Sequence, residues 1–193
     1  MRSRARFCLV QSWQVGDLPH HGSCYGLGMS ELSELLERFR RGPELVAVAL
    51  TGAAGSELDY VSAPGKWSVR QILAHLSDAE MVAADRLRRI IAENNPTIVA
   101  YDQDAWAANL DYGRRKSSQA LETFRRIRGE SHELLKELPE ATFQRTGKHT
   151  ERGTITLRQL LQLMAEHAEG HARQVQAVRA QYKESKTVHK SGA

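Results

Sequence analysis

Residues Thr156–Val175 read TLRQLLQLMAEHAEGHARQV. An advance of about 100° per residue places the large apolar side chains of this stretch and of the turn that follows on one stripe of a helix. The stripe consists of Leu157, Leu160, Met164, Val175 and Val178. Thr156 and Gln159 form the T-x-x-Q capping box that satisfies free backbone N–H groups at a helix start. The sequence therefore predicts a long amphipathic helix that runs to about Tyr182.

Two histidines, His167 and His171, fall inside this apolar stripe. Residues four apart are neighbours on a helix surface, with about 5 to 6 Å between their Cβ atoms, so both rings can reach a single ion. The alternative is a pair of ordinary core histidines. Two buried imidazoles without a carboxylate nearby would leave unsatisfied nitrogens, at a cost of about 1 to 3 kcal/mol each. The pair therefore favours a metal site.

A third histidine, His75, lies on another predicted helix, about Ser68 to Glu93, which begins with the capping box of Ser68 and Gln71. The core face of this helix consists of Val69, Ile72, Leu76, Ala83, Leu87 and Ile90. His75 lies on one flank of that face. Three imidazoles from two helices are what a divalent metal needs if one side is to stay open for water or substrate.

Two carboxylates follow His75 on the same helix. Glu80 is predicted to point inward on the opposite flank, and Asp78 to turn toward solvent. Glu80 is a candidate acid/base catalyst. The alternative is a surface ion-pair partner of Arg86, Arg88 or Arg89.

The length of 193 residues favours one domain with a substantial core. No apolar run approaches the roughly 18 residues of a membrane span, and the apolar stretch after the basic start is too short for a signal peptide. We therefore expect a cytoplasmic protein without a membrane partner. Cys8 and Cys24 lie in an irregular segment away from any motif, and we interpret them as reduced, incidental thiols.

The net charge of +4 belongs to the ends of the chain. Residues 1–28 contribute three arginines against Asp17, and residues 183–193 contribute three lysines against Glu184, which is +2 from each end. Residues 29–182 are therefore neutral. They carry no basic stripe with interleaved aromatic residues, so we predict no nucleic-acid partner.

The remaining segments predict two more helices. Leu32 to Leu50 forms the first helix, bent or interrupted at Gly42-Pro43, and about Ser117 to Leu138 forms the third. A long connection from Pro96 to Trp106 has room for short helical turns, and residues 143–154 are a turn-rich connection. Strand-like alternation is nowhere long. The predicted fold is all-α, a four-helix bundle with a long crossover between the second and third helices.

Three segments are predicted along the chain. Residues 1–28 are glycine-rich and without helical periodicity, and we expect a disordered extension; either Met1 or Met29 is then the start. Residues 29–182 form the bundle. Residues 183–193 form a flexible tail.

These residues together resemble the DinB superfamily of metal-binding four-helix bundles, and within it the YfiT-like metal-dependent hydrolases, some of which are bacillithiol transferases. The matching motifs are Trp67-Ser68, His75-Leu76-x-Asp78-x-Glu80, Pro96-Thr97-Ile98, Tyr101-Asp102-x-x-Ala105-Trp106, His149 with Gly153, and His167-x-x-x-His171. The resemblance implies that His75, His167 and His171 bind nickel, zinc or a similar divalent ion, and that the protein is a homodimer. Where the family often has a further histidine, this chain has Gly170.

The predicted function is that of a hydrolase or of a low-molecular-weight thiol S-transferase acting on a small molecule. Three neutral imidazoles leave an ion Lewis acidic, so that it lowers the pKa of a bound water or thiol. Glu80 and His149 are candidate catalytic residues, and Asp102 and Trp106 are candidate pocket residues. The alternative is a stress-linked metalloprotein without turnover, in which the metal is structural.

Overall fold

A computed structural model describes residues 30–191 of the chain. The predicted extension of residues 1–28, both cysteines and the choice between Met1 and Met29 lie outside these residues. The helices are α1 (Glu31–Ala49), α2 (Ser56–Asp59), α3 (Val69–Ala92), α4 (Gln103–Asn109), α5 (Ser117–Lys136) and α6 (Leu157–Ser191). The four long ones, α1, α3, α5 and α6, form the bundle, which confirms the predicted all-α four-helix architecture. No helix in the described part of the chain is both long and apolar enough to cross a membrane.

The order of the helices around the bundle is not their order along the chain. α1 packs against α5 and α6, and α3 packs against the same two helices. Consecutive bundle helices α1 and α3 therefore lie diagonally opposite one another, as do α5 and α6. The core face predicted for α3 is buried along its whole length, from Val69 to Ile90. The two histidine-bearing helices, α3 and α6, are direct neighbours.

Both predicted capping boxes are present and fix the starts of the two histidine-bearing helices. At α3, Ser68 N–H donates to Gln71 Oε1 at 2.9 Å, and Gln71 N–H donates to Ser68 Oγ at 3.3 Å. At α6, Thr156 and Gln159 make the same reciprocal bonds at 2.8 and 3.1 Å. These side chains satisfy backbone donors that have no partner inside their own helix.

The interruption expected at Gly42-Pro43 is absent, and α1 runs through both residues. Proline normally disrupts a helix because it has no N–H for the carbonyl four residues earlier, here that of Phe39. The guanidinium of Arg128 on α5 supplies the missing donor, with Nη1 at 2.8 Å from Phe39 O. The sequence gives no sign of this partner.

The two connections that the sequence predicts as irregular are joined by a small sheet. β1 (Thr97–Ile98) pairs in parallel with β2 (Thr146–His149), which pairs in antiparallel fashion with β3 (Gly153–Thr156). A Cβ atom at Gly147 would lie only 2.9 Å from Ile98 Cγ1, so glycine is needed where β2 crosses the core. The connection from α3 to α5 also contains α4, a short helix of the kind that the sequence allows there.

The end predicted for the last helix is too early, because α6 continues past Tyr182 to Ser191. Lysine and glutamate in the segment after Tyr182 are good helix formers. Ser185 Oγ donates to Tyr182 O at 2.7 Å, and Thr187 Oγ1 donates to Lys183 O at 3.1 Å. The division of the chain at residue 182 stays a prediction.

Candidate metal centre

The structure brings together the three histidines that the sequence singles out. His167 Nε2 lies 3.0 Å from His75 Nε2 and 3.1 Å from His171 Nε2. One ligand atom from each ring lies within 4.8 Å of those of the other two. The ring of His75 comes from α3 and the other two from consecutive turns of α6, so the centre joins two neighbouring helices.

Burial keeps all three rings neutral. It lowers the pKa of His75 to about 3, with a further contribution from His171. Burial also lowers the pKa of His167 well below its ordinary value, and the two neighbouring rings add to this effect. The pKa of His171 is lowered by burial as well, although its bond to Gln174 opposes the shift. At neutral pH the rings therefore present lone pairs rather than positive charges.

The distances from His167 Nε2 to the other two Nε2 atoms match those between ligands of a single divalent ion. Two ligands that bind one zinc at about 2.0 to 2.1 Å, with angles between octahedral and tetrahedral, lie about 2.8 to 3.4 Å apart. The Nε2 separations of 3.0 and 3.1 Å fall within this interval. Without an ion, one N–H of His167 can point at only one of its two neighbours, whereas a shared cation satisfies every lone pair at once.

Gln174 orients one of the rings. Its Oε1 lies 2.7 Å from His171 Nδ1, which therefore carries the proton and leaves the lone pair on Nε2. This glutamine was missed by the sequence interpretation, although its position one helical turn after His171 is a usable signal. His75 is held instead by ring packing, with its centroid 4.9 Å from that of Trp67. The Nδ1 atoms of His75 and His167 are buried and have no hydrogen-bond partner among residues 30–187.

Glu80 is buried, as predicted, but its carboxylate is fully engaged. Arg128 Nε donates to Glu80 Oε1 at 2.7 Å, and Nη2 donates to Oε2 at 2.6 Å. Both side chains are 1% exposed. A surface pairing with the arginines of α3 is therefore wrong. Arg128 was missed because it comes from α5, far away in sequence.

Asp78 is also buried, and the expectation that it faces solvent is wrong. The connection between α3 and α5 covers it, and Arg115 Nη2 lies 3.5 Å from its Oδ1. The Tyr112 ring lies beside it. Burial, together with the Asp78 carboxylate, raises the pKa of Tyr112.

The other candidates have local structural contacts. His149 is buried at the end of β2, where its Nδ1 accepts from the backbone N–H groups of Glu151 and Arg152 at 3.2 and 3.3 Å. Burial lowers the pKa of His149, and nearby arginines add to this effect. Asp102 is the N-cap of α4, and the half-buried Trp106 packs against Tyr101 with ring centroids 4.6 Å apart. Catalytic or pocket roles for these residues stay predictions.

Comparison with known proteins identifies the family. A family model described as "DinB superfamily" matches residues 38–175. "Putative metal-dependent hydrolase OB0782" of Oceanobacillus iheyensis is 28% identical over 161 residues, which cover 83% of this chain and 91% of that protein. "Putative metal-dependent hydrolase YfiT" of Bacillus subtilis is 30% identical over 130 residues, which cover 67% of this chain and 73% of YfiT.

A solved structure shares the fold. Bacillus subtilis YfiT, described as "a probable metal-dependent hydrolase with an unusual four-helix bundle topology", matches with a TM-score of 0.75 at 24% identity, over 84% of this chain and 94% of that one. The family match, the relatives and the fold agree with one another. This chain belongs to the DinB superfamily, as one of its YfiT-like members.

Proposed function

We propose that this protein is a metal-dependent hydrolase that binds one divalent ion, zinc or nickel, through His75, His167 and His171. The observation that carries the proposal is the approach of three neutral rings from α3 and α6, with His167 Nε2 at 3.0 and 3.1 Å from the other two Nε2 atoms. Nitrogen ligands suit both zinc and nickel, so cellular supply selects between them.

The chain supplies an ordered, neutral ligand set. Three uncharged imidazoles leave the positive charge of an ion uncompensated. The His75 side chain is buried, and those of His167 and His171 are half-buried. Gln174 and the ring of Trp67 restrict the orientation of two of the three rings. A divalent ion bound here would be a Lewis acid that lowers the pKa of a coordinated water or thiol.

The same site would serve hydrolysis or thiol transfer to a small molecule. Water as the nucleophile gives a hydrolase, and a low-molecular-weight thiol gives an S-transferase. A panel of activated esters and electrophiles, assayed with zinc-loaded and nickel-loaded protein, separates the two activities. Turnover that requires an added thiol supports transfer, and turnover without thiol supports hydrolysis.

A structural role for the ion is the second candidate, favoured by the origin of the ligands. His75 belongs to α3 and the other two belong to α6, so an ion would tie neighbouring helices together. Melting with and without a chelator shows whether the folded chain binds the ion, and exchange of coordinated water then distinguishes the roles. Absence of an exchangeable coordinated water supports the structural role, and an exchangeable water supports catalysis.

Replacement of each ligand tests the proposed site. We expect His75→Ala, His167→Ala and His171→Ala each to lose most bound metal in elemental analysis. His132→Ala is the control, because His132 lies on α5, where its Nδ1 is 3.6 Å from Glu133 Oε1. A ligand variant that keeps the metal stoichiometry of the native protein would remove that residue from the set.

We further propose that the protein is a cytoplasmic homodimer. The resemblance to YfiT-like proteins supports the dimer, and the sequence supports the location. Light scattering of the purified protein measures its mass directly. A mass close to the 21.6 kDa of one chain would contradict the dimer.

A further inference from the structure

Arg128 is a buried cation at the centre of the bundle. It is 1% exposed, and it donates hydrogen bonds to residues of three other helices. Its Nε and Nη2 bind Glu80 of α3, Nη1 donates to Phe39 O of α1 at 2.8 Å, and Nη2 also donates to Met164 O of α6 at 3.3 Å. The guanidinium carbon lies 4.0 Å from the centroid of the Phe39 ring. One side chain thereby connects all four bundle helices.

Two residues of α1 are adapted to this guanidinium. Pro43 has no N–H, so Phe39 O is free to accept from Arg128. Gly42 leaves the space that the guanidinium occupies, because a Cβ atom there would lie 2.9 Å from Arg128 Nη1 and 2.8 Å from Ala168 Cβ. The Gly42-Pro43 pair, which looks like a helix breaker, is part of the binding site for Arg128.

The contacts of Arg128 lie next to the candidate metal ligands on both helices. Met164 precedes His167 by less than one helical turn on α6. Glu80 follows His75 by about one and a half turns on α3. Arg128 therefore binds the same region of α3 and α6 that presents the three rings.

Stability alone does not explain such a pair. Desolvation of two charges offsets much of their attraction, and replacement of a buried ion pair by apolar side chains of similar volume is often neutral or stabilising. The bidentate contact between the Arg128 guanidinium and the Glu80 carboxylate has a fixed geometry that apolar packing lacks. Fixed geometry is what three ligands from two helices require, because a small displacement of either helix separates the ring nitrogens.

We propose that Glu80 and Arg128 are positioning residues for the metal centre, which hold α3 and α6 in the relative placement that lets His75 and the two histidines of α6 share one ion. The inference rests on the proposed function. It assigns Glu80 an indirect role through Arg128 rather than contact with substrate.

The test replaces Glu80 and Arg128 without leaving an unpaired buried charge or a Phe39 carbonyl that lacks a hydrogen-bond donor. The triple variant Pro43→Ala, Glu80→Leu, Arg128→Met has apolar side chains in place of the pair, and the alanine N–H supplies the donor that Phe39 O loses. Zinc affinity is measured by competition with a chromogenic chelator, and melting is measured on metal-free protein. We expect metal-free melting close to that of the native protein and zinc binding weaker by about tenfold or more.

Arg38 and Glu169 provide the matched control. They form a bidentate pair between α1 and α6, with bonds of 3.0 Å, and Arg38 is 46% exposed. Glu169 lies between the two histidines of α6. The double variant Arg38→Met, Glu169→Leu should bind zinc like the native protein, because this more exposed pair joins α6 to α1 and not to α3.

A folded triple variant with native zinc affinity would overturn the inference. If the triple variant does not fold, Arg128→Lys is tested instead, because lysine keeps the positive charge but cannot make the bidentate contact with Glu80. Weaker zinc binding by folded Arg128→Lys supports the inference, and native zinc affinity overturns it. Native protein that binds neither zinc nor nickel would refute the proposed function itself, and the inference with it.

Discussion

Replacement of His167 by leucine tests whether the histidine centre is built for an ion rather than for stability. His167 is the central ring, with both other Nε2 atoms within 3.1 Å. Its Nδ1 is buried without a partner among residues 30–187, and burial holds its pKa well below the ordinary value. Leucine is of similar size and has no polar atom to leave unsatisfied.

The magnitude follows from the unpartnered nitrogen. A buried polar group without a partner costs about 1 to 3 kcal/mol, and imperfect packing of leucine offsets up to about 1.5 kcal/mol of the gain. Leucine also removes the hydrogen bond between His167 Nε2 and one neighbouring ring, a loss of about 0.5 to 1.5 kcal/mol. We therefore expect metal-free His167→Leu to match the stability of the native protein within about 1 kcal/mol, so that Tm changes by no more than about 2 to 4 °C for a domain of this size. The native protein gains about 4 kcal/mol from zinc at a thousandfold excess over Kd, and the variant should not.

Calorimetry at pH 7.5, in chelator and then in zinc, measures both effects. His132→Leu is the control, since His132 lies outside the centre. If His167→Leu melts more than about 4 °C below the native protein in chelator, His167 is an ordinary core histidine that stabilises the fold. The reasoning from unsatisfied nitrogens would then be refuted.

Three further predictions concern pH, ring orientation and packing. Because the pKa of His75 is lowered to about 3 from 6.5, and those of the other two rings are lowered too, the unfolded chain takes up protons below pH 6.5 that the folded metal-free protein does not. The free energy of unfolding of the metal-free protein should therefore be highest above pH 6.5 and decrease toward pH 3. Urea titrations at pH 8, 6 and 4.5 measure it, and a free energy of unfolding that does not change with pH would contradict the prediction. Gln174→Leu removes the acceptor of the His171 proton and should weaken zinc binding by about tenfold in calorimetric titration. Gln174→Glu keeps an acceptor at this position and is the control. Equal zinc affinity of the two variants would argue against an orienting role for Gln174. Gly147→Ala should destabilise the fold by about 1 to 3 kcal/mol in urea, because its Cβ would lie 2.9 Å from a core carbon. Gly170→Ala should not, because its Cβ would lie 4.0 Å from the nearest atom, Arg173 Nη2. Similar values for both variants would show that the strands around Gly147 move aside.

The helical part of the centre is predictable from sequence because it depends on local periodicity. His167 and His171 lie four residues apart, so they share a face in any α-helix. The capping boxes at Ser68 and Thr156 mark where the two helices begin. Such signals depend on neighbours within one turn and need no knowledge of the tertiary fold.

The interior of the bundle is not predictable in the same way. Gly42-Pro43 is typical of a helix break, and only a guanidinium from α5 makes the helix continuous. Glu80 resembles a surface ion-pair partner until Arg128 is placed opposite it. Asp78 is buried only because the chain after α3 returns across it. Each of these depends on residues far apart in sequence.

The small sheet was missed for a related reason. β1 has two residues and the other two strands have four each, which is too short for an alternating pattern to be recognised. The pairing of Ile98 with His149 joins connections that are separated by the whole of α5. Only the packed bundle brings them into register.

X-ray absorption spectroscopy of the zinc-loaded protein tests the central claim most directly. The account predicts one ion per chain, with three imidazole nitrogens at about 2.0 to 2.1 Å and the remaining coordination from oxygen. Fewer than three imidazoles in the first shell, or failure to retain any stoichiometric ion, would contradict it.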